Sequence, residues 1–281
     1  MRAWLACVLV LLAASSSVAV TGGVLRIGVA RALPFHDLRV MAEWADYLER
    51  KLDRPVHIVN RRTHTEIVDL LVRGQLDVAW VCPDHYRRYR EQLSLIAGPV
   101  FQGRQEFQLL VMAPAYGLPE LQGLLDLRGK VIAFAEPDTN LGSALVKRAL
   151  GSLGADPDHF FRRIIYTGDH ERVIRAVAGG VAHAGAVMDQ AWEVMEARDP
   201  PLAAGLRVIW RSGWRPLPPL VGSASLDPSE ASAFREALTA MPEDPQGRAV
   251  LAALHFERFV TPDPKLYEGD TDPSDPAACP E

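Results

Sequence analysis

The chain has 281 residues, of which 48% are hydrophobic and 23% charged, a balance typical of soluble globular proteins. Its formal net charge of -5 provides no basic face, which argues against a nucleic-acid partner. Only Cys82 and Cys279 follow the first twenty residues, and two distant cysteines are not a disulfide scaffold. No CxxC, HExxH or clustered Cys/His spacing is present, so neither a metal nor another cofactor is expected.

The first residues have the composition of an export signal. Arg2 precedes the apolar run WLACVLVLLAA, and the small residues SSSVAV follow it. A membrane anchor is the alternative, but the run is short for a bilayer span. A charged start, a short apolar core and a small-residue site are typical of a cleavable signal peptide. We therefore expect residues 1–19 to be removed and the mature protein to be periplasmic.

The mature chain opens with a predicted β-α-β-α-β succession. The segments are a strand at 24–30, a helix at 36–52, a strand at 56–59, a helix at 63–74 and a strand at 76–81. Apolar residues recur at helical spacing in the first helix, and Thr63 and Glu66 have the spacing of a capping box. This order predicts a largely parallel sheet with crossover helices.

A second α/β succession begins near residue 130. Its predicted strands and helices are 130–135, 142–154, 162–167, 171–180, 184–188 and 206–210. The extended segments 107–114 and 215–225 flank it and are interpreted as crossings. The chain is thus expected to form two similar α/β lobes joined by a two-crossing hinge. Lobe I comprises 24–112 plus 218–260, lobe II comprises 113–217, and 262–281 is a flexible tail rich in Pro and Asp.

The two successions also resemble each other in sequence. Residues 64–84 align with 170–190 at a constant offset of 106, which places His64 on His170 and Cys82 on Met188. Any helix-glycine-strand unit shares part of this pattern, so it supports a duplication without proving one.

Two such lobes enclose a cleft at the carboxyl ends of their strands, beside helix N-termini whose free N–H groups suit an anion. The loops predicted to face it are 31–37, 61–65, 82–86, 136–143, 167–170 and 188–190. In 136–143, the hydroxyls of Thr139 and Ser143, with the amides of 140–143, are candidates for one oxyanion cradle. The alternative is that these side chains only cap a helix.

Several stretches, taken in order, resemble the periplasmic phosphate/phosphite/phosphonate-binding components of ABC transporters, which have a type II solute-binding fold. They are RIGVARALPF, WADYLERKLDRPVHIV, LLVRGQLDVAWVCPDHY, GPVFQGRQEFQLLVM, LRGKVIAFAEPDTNLGS and GDHERVIRAVAGGVAHAGAVMDQAWE, spread over residues 25 to 225. The resemblance implies a venus-flytrap protein that closes on a small oxyanion and delivers it to a membrane permease. A monomer is expected.

The resemblance also implies site residues. The family's Ser/Thr turn, which holds the oxyanion, falls on Thr139, Asn140 and Ser143. His170 matches a histidine at a helix N-terminus, and Tyr86 matches an aromatic residue that closes a GPxxY-like loop. Asp189 matches an acidic or polar residue after a strand of the second lobe.

Two departures from the family pattern bear on the ligand. Cys82-Pro83 replaces a common Gly-Pro, and Cys82 either packs as a small apolar residue or contacts a thiophilic ligand such as an arsenic oxyanion. Arg31 and Arg215 add cations near the cleft, which favours a plain oxyanion over an aminophosphonate, unless both are simply solvated. His36, His64 and His85 fall in the cleft loops too, where they would make binding sensitive to pH.

Three classes of function remain after these observations. The first is a solute-binding protein for transport, and the second is a sensor of the same fold that signals to a histidine kinase or chemoreceptor. An enzyme is disfavoured, because the sequence has no nucleophile elbow, metal cluster or paired carboxylates at catalytic spacing.

Overall fold

The computed structural model of the chain describes residues 23–30, 37–137 and 142–268. The expected signal peptide at 1–19 lies outside this part, and so do the candidate site residues Arg31, Thr139 and Asn140. Among the described residues, no helix combines the length and the apolar character needed to cross a bilayer.

The described chain alternates strands and helices. The strands are β1 (Leu25–Ala30), β2 (Val56–Arg61), β3 (Val78–Trp80), β4 (Leu93–Val100), β5 (Glu106–Phe107), β6 (Leu109–Pro114), β7 (Val131–Phe134), β8 (Arg163–Tyr166), β9 (Ala184–Met188), β10 (Leu206–Arg211), β11 (Arg215–Pro216), β12 (Leu220–Ser223) and β13 (Arg258–Val260). The helices are α1 (Leu38–Leu52), α2 (His64–Val72), α3 (Pro83–Tyr89), α4 (Ser143–Ser152), α5 (His170–Ala178), α6 (Asp189–Arg198), α7 (Pro200–Ala204), α8 (Pro228–Thr239), α9 (Pro245–Ala253) and α10 (Lys265–Glu268).

The strands form two principal sheets, one in each lobe. The first has six strands in the order β13-β4-β12-β3-β1-β2, and the second has five in the order β10-β6-β9-β7-β8. Pairing is parallel within β2-β1-β3 and within β8-β7-β9. The strands β12 and β6, which enter from the other lobe, lie antiparallel to β3 and β9. The sheets are therefore mixed, which corrects the expectation of largely parallel sheets.

The hinge is built from both crossings. Strand β5 pairs with β11 in a small antiparallel ribbon between the two principal sheets. Strand β6 already belongs to the second sheet, so the first crossing precedes residue 109 and the expected boundary between 112 and 113 falls inside a strand. The apolar run 107–114 could not reveal this, because a buried strand and an extended crossing have the same composition.

The end of the described chain packs on α3 and on the crossing that contains β11. Tyr267 of α10 is buried at 2% exposure, and its hydroxyl donates a hydrogen bond to the carbonyl oxygen of Leu217 at 3.3 Å. Residues 262–268, expected in the flexible tail, therefore belong to the fold. The rest of the expected tail lies outside the described residues.

Helices begin at residues that satisfy free backbone N–H groups. Thr63 and Glu66 form the predicted capping box of α2: the Thr63 hydroxyl accepts from the Glu66 N–H at 3.2 Å, and Glu66 accepts from the Thr63 N–H. Asp169 is the N-cap of α5, as Thr63 is of α2, and its side chain accepts a hydrogen bond from the Arg172 N–H at 2.7 Å.

The internal repeat corresponds in the structure to two helices of equal length, one in each lobe, that occupy equivalent places in the chain. Helices α2 and α5 begin and end at the same offset of 106 found in the sequence. Gly185 of β9 allows α5 to approach the sheet closely, since a Cβ there would lie 2.5 Å from the Val173 side chain. The equivalent helix of lobe I approaches its sheet at Gly28, where a Cβ would lie 3.0 Å from Ile67. Both lobes thus bring a histidine at a helix N-terminus to the edge of a sheet.

Candidate ligand-binding site

Most of the buried polar side chains of the described residues lie at the carboxyl-terminal edges of the two sheets. They are His64, His85, Glu136, Ser143, His170, Asp189 and Gln190. Each stands within the loop or first helical turn that follows a strand, in the loops that the sequence predicted to face the cleft. Buried polar groups are normally hydrogen-bonded. Their concentration at these two sheet edges therefore marks the region as the candidate ligand-binding site.

His64 connects the two lobes. It is fully buried at the start of α2, and its Nδ1 lies 3.7 Å from Oε2 of Glu136, which follows β7 in the second lobe. Behind it, the ring of His85 stacks with a centroid distance of 6.4 Å and an interplanar angle of 17°. These residues therefore bring the two facing loops of the cleft together.

His85 is held neutral by its surroundings. Burial, together with the nearby His64 and Arg88, lowers the pKa of His85 to about 4. Its Nε2 lies 3.4 Å from the Thr65 hydroxyl. A neutral imidazole offers one donor and one acceptor, so His85 contributes polarity without charge.

His170 is the second-lobe counterpart of His64. It is 1% exposed, and neither ring nitrogen has a hydrogen-bond partner within the described part of the chain. Burial lowers the pKa of His170 to about 4, so the ring is neutral near pH 7. It can donate one hydrogen bond and accept another. The sequence predicted His170 as a ligand contact, and this burial without a partner is compatible with that prediction.

The start of α6 carries a charged and a neutral polar side chain. Asp189 is 4% exposed; its Oδ1 accepts from the Gln190 N–H at 2.9 Å, and its Oδ2 lies 3.9 Å from Arg104. Burial raises the pKa of Asp189. Gln190 is 1% exposed, and neither atom of its side-chain amide has a partner among the described residues. The sequence analysis missed Gln190, although its position directly after a candidate residue could have indicated it.

Two further predicted contacts, Ser143 and Cys82, are both buried at the start of a helix. Ser143 is 1% exposed and is the first residue of α4. Cys82 is 1% exposed at the start of α3 and belongs to the apolar cluster that includes Phe101 of the hinge region. Packing accounts for this burial, and a ligand contact of Cys82 stays a prediction.

The ring of Tyr86 packs edge-to-face on Tyr267 with a centroid distance of 5.8 Å. Burial raises the pKa of Tyr86. The contact orders Tyr86 against α10, and a ligand contact of Tyr86 stays a prediction.

Arg104 links the hinge to the site. Its backbone N–H and carbonyl are hydrogen-bonded to Phe101 at the end of β4, in the first crossing. Its guanidinium lies 4.8 Å from the ring centroid of Trp214 in the second crossing and 3.5 Å from Glu193 of α6. Arg104 therefore joins both crossings to the helix that begins with Asp189. The sequence analysis missed it, because its role depends on contacts between distant segments.

A cavity of about 620 Å³ lies between the lobes, with α1 and the end of α9 on one side and α5 and α6 on the other. Its arginines are Arg39, Arg172, Arg175 and Arg198. Guanidinium groups bind oxyanions through paired hydrogen bonds, although here Asp169 and Glu171 already engage three of these side chains.

The buried polar side chains named above do not line this cavity, so the two features mark neighbouring but separate parts of the region between the lobes. Within residues 23–30, 37–137 and 142–268, no group of three or more His, Cys, Asp or Glu is placed to hold a metal ion.

Solved structures of binding proteins share this fold. A binding protein component of an ABC phosphonate transporter from Pseudomonas aeruginosa is 18% identical, with a TM-score of 0.75 over 87% of this chain and 83% of that one. PhnD1 from Prochlorococcus marinus, in complex with methylphosphonate, is 19% identical, with a TM-score of 0.73 over 87% and 94% of the two chains. A histidine kinase sensor domain similar to periplasmic binding proteins is 18% identical, with a TM-score of 0.56 over 84% and 97%.

These structures establish a type II periplasmic-binding-protein fold, as the sequence predicted. The family model described as ABC transporter, phosphonate, periplasmic substrate-binding protein matches residues 36–267. With the match extending over most of the chain, this protein belongs to the family of periplasmic substrate-binding proteins of phosphonate ABC transporters.

Proposed function

We propose that the protein captures a small phosphorus oxyanion, namely phosphate, phosphite or a phosphonate, between its two lobes and delivers it to the permease of an ABC transporter. The observation that carries the proposal is the set of buried polar side chains contributed by both lobes, with His64 of one lobe 3.7 Å from Glu136 of the other. The family to which the chain belongs supplies the expectation of a permease partner.

Binding is proposed to work by closure of the hinge. A ligand that contacts residues of both lobes stabilises the closed state by the difference between its affinities for the closed and open states. The crossings that contain β5 and β11 are the segments that would bend. The Ser/Thr turn at 139–143 is proposed to supply oxyanion contacts, together with His170, Asp189 and Gln190.

The place of action is proposed to be the periplasm, reached by cleavage of the signal peptide at residues 1–19. A monomer is proposed, since one chain contains both lobes of the cleft. Sensing through a histidine kinase remains the alternative, because a sensor would use the same cleft and differ only in its docking surface.

Thermal unfolding of the mature chain tests the binding proposal. Low-millimolar phosphate, phosphite, methylphosphonate, sulfate, arsenite and arsenate would be compared, after removal of any ligand retained from expression. A ligand that binds only the native state stabilises it by about 2.7 kcal/mol at a concentration of 100 times Kd. We expect at least one phosphorus oxyanion to raise Tm. If none of them does so, the proposed function is wrong.

A further inference from the structure

The cavity that α1 and α9 form with α5 and α6, which we name the outer cavity, has an apolar floor and a charged rim. One face of α6 contributes four of its wall residues, Ala191, Val194, Met195 and Arg198. Their spacing of three and four residues places them on a single stripe of the helix. Val40 of α1 and Ala253 of α9 extend the floor on the side of the first lobe. Both lobes therefore supply apolar surface to the same cavity.

The rim carries more positive than negative charge. Its exposed guanidinium groups belong to Arg39 in lobe I and to Arg172, Arg175 and Arg198 in lobe II. The carboxylates of the described wall are those of Asp37, Asp169 and Glu171. Four cations thus face three carboxylates, in a chain whose formal net charge is -5. This local excess of positive charge favours an anionic ligand.

The three carboxylates are engaged by groups of their own lobe. Asp37 and Asp169 are the N-caps of α1 and α5, and each accepts a backbone N–H of its helix at 2.7 Å. The positive ends of these helices offset part of the negative charge. Glu171 pairs with Arg175 at 2.9 Å and with Arg198 at 2.5 Å. A guanidinium has five N–H donors, so such a pair leaves donors for a second acceptor.

The size and the lining of the outer cavity indicate a class of ligand. Its volume of about 620 Å³ lies within the range of small-molecule pockets, roughly 300–1,000 Å³. In such pockets, apolar side chains cover the body of the ligand and a few charged groups fix its orientation. An inorganic oxyanion would engage the rim but leave the apolar floor uncovered.

We propose that the outer cavity binds an organic anion with an apolar body, and that its occupation stabilises the closed arrangement of the lobes. Opening the hinge would separate Arg39 and Val40 from Val194 and Arg198, which belong to the other lobe. A ligand that contacts both walls binds the closed state more tightly and shifts the equilibrium towards it. By linkage, it also raises the affinity for the phosphorus oxyanion. This coupling rests on the proposed function, whereas binding in the outer cavity does not.

Calorimetric titration of the mature chain with naphthalenesulfonate tests the site. Inorganic sulfate and neutral naphthol are the comparison probes, since sulfate has the charge alone and naphthol the apolar body alone. Wild type should bind naphthalenesulfonate about tenfold more tightly than either of them. At saturation, the radius of gyration in small-angle X-ray scattering should decrease, and the affinity for methylphosphonate should rise by about fivefold.

Two variants in the wall and one outside it locate the bound anion. Val194→Asp places a carboxylate on the apolar floor and should weaken naphthalenesulfonate binding by about tenfold. Arg39→Gln should weaken it by about two- to fivefold, and its side chain is 80% exposed, so this variant serves if Val194→Asp does not fold. The matched control is Ala197→Asp, which adds the same charge at an exposed position of α6 and should bind like wild type.

The outcomes separate this inference from the proposed function. Wild-type affinity for naphthalenesulfonate in both wall variants, or an equal loss in Ala197→Asp, would exclude the outer cavity as the site. Displacement of naphthalenesulfonate by methylphosphonate would place both ligands in one site and overturn the inference too. An unchanged radius of gyration would exclude the stabilisation of closure. If naphthalenesulfonate behaves as expected but no phosphorus oxyanion binds, the proposed function is wrong and the outer cavity stands.

Discussion

Nδ1 of His64 lies 3.7 Å from Oε2 of Glu136, and both side chains are buried although they belong to different lobes. The separation exceeds a hydrogen bond, and the burial of both side chains keeps water away from them. The distance between these two side chains depends on how closely the lobes approach, because opening the hinge would separate the two groups and hydrate both. We therefore expect the contact between His64 and Glu136 to stabilise the closed state.

The first prediction concerns this pair. His64→Gln removes the imidazole that faces Glu136 and should weaken ligand binding by about fivefold, because the closed state loses a contact worth about 1 kcal/mol. Calorimetric titration with the ligand identified by thermal unfolding measures the effect. The control is His57→Gln, which changes an exposed histidine of the same lobe. Equal affinities for wild type and His64→Gln would exclude a role of His64 in closure.

The second prediction concerns the hinge. Arg104→Gln removes the cation that lies over Trp214 and beside Asp189 and Glu193. We expect weaker ligand binding and a changed ligand-induced signal in tryptophan fluorescence, because Trp214 loses its stacked partner.

Arg128→Gln is the matched control for the hinge variant. It removes a cation–π contact of the same 4.8 Å length, with Phe160, at the opposite edge of the second sheet. If both variants bind ligand like wild type, Arg104 does not couple the hinge to the site.

Much of this architecture follows from sequence patterns. The helical periodicity of α1, the capping box at Thr63 and the repeat offset of 106 predicted elements that the structure contains. The predictions worked where one physical requirement dominates a short segment, such as burial of one helix face or satisfaction of free N–H groups.

Other features depend on distant partners and could not be predicted in this way. Strand β4 contains Gly98 and Pro99, which weaken a strand signal, yet it pairs with β12 and β13. Likewise, the sequence cannot show that Arg104 meets Trp214 or that Glu136 meets His64, since each pair joins segments far apart in the chain. The burial of Gln190 is equally a product of tertiary packing.

The third prediction separates the two interpretations of Cys82. Cys82→Ser places a hydroxyl in an apolar cluster, where Oδ2 of Asp84 lies 4.0 Å from the present sulfur, and should reduce the free energy of unfolding by about 1 kcal/mol, measured by chemical denaturation. If Cys82 only packs, the affinity for phosphorus oxyanions and any response to arsenite should remain unchanged. Cys82→Ala provides a control without a buried hydroxyl. Loss of an arsenite response in both variants, with phosphonate binding retained, would assign the thiol to the ligand.

The fourth prediction concerns stability at acidic pH. Burial lowers the pKa of both His85 and His170 to about 4, against about 6.5 for an exposed histidine. As pH falls below about 6.5, both histidines become protonated in the unfolded chain but stay neutral in the folded chain. The folded state is therefore at its full stability above about pH 6.5 and loses stability as pH falls towards about 4. By about pH 5, the loss should reach about 2 kcal/mol per histidine.

Chemical denaturation at about pH 7.5 and about pH 5 measures this loss. The double variant His85→Phe, His170→Phe keeps an aromatic ring at both positions and removes both titrating groups, so its stability should decline less between the two pH values than that of wild type. The exposed His57 provides the control, as His57→Phe should leave the wild-type decline in place. Because His170→Phe also removes a donor from the proposed site, ligand affinity should fall even where stability is retained. A parallel decline in wild type and the double variant would show that other groups determine the acid sensitivity.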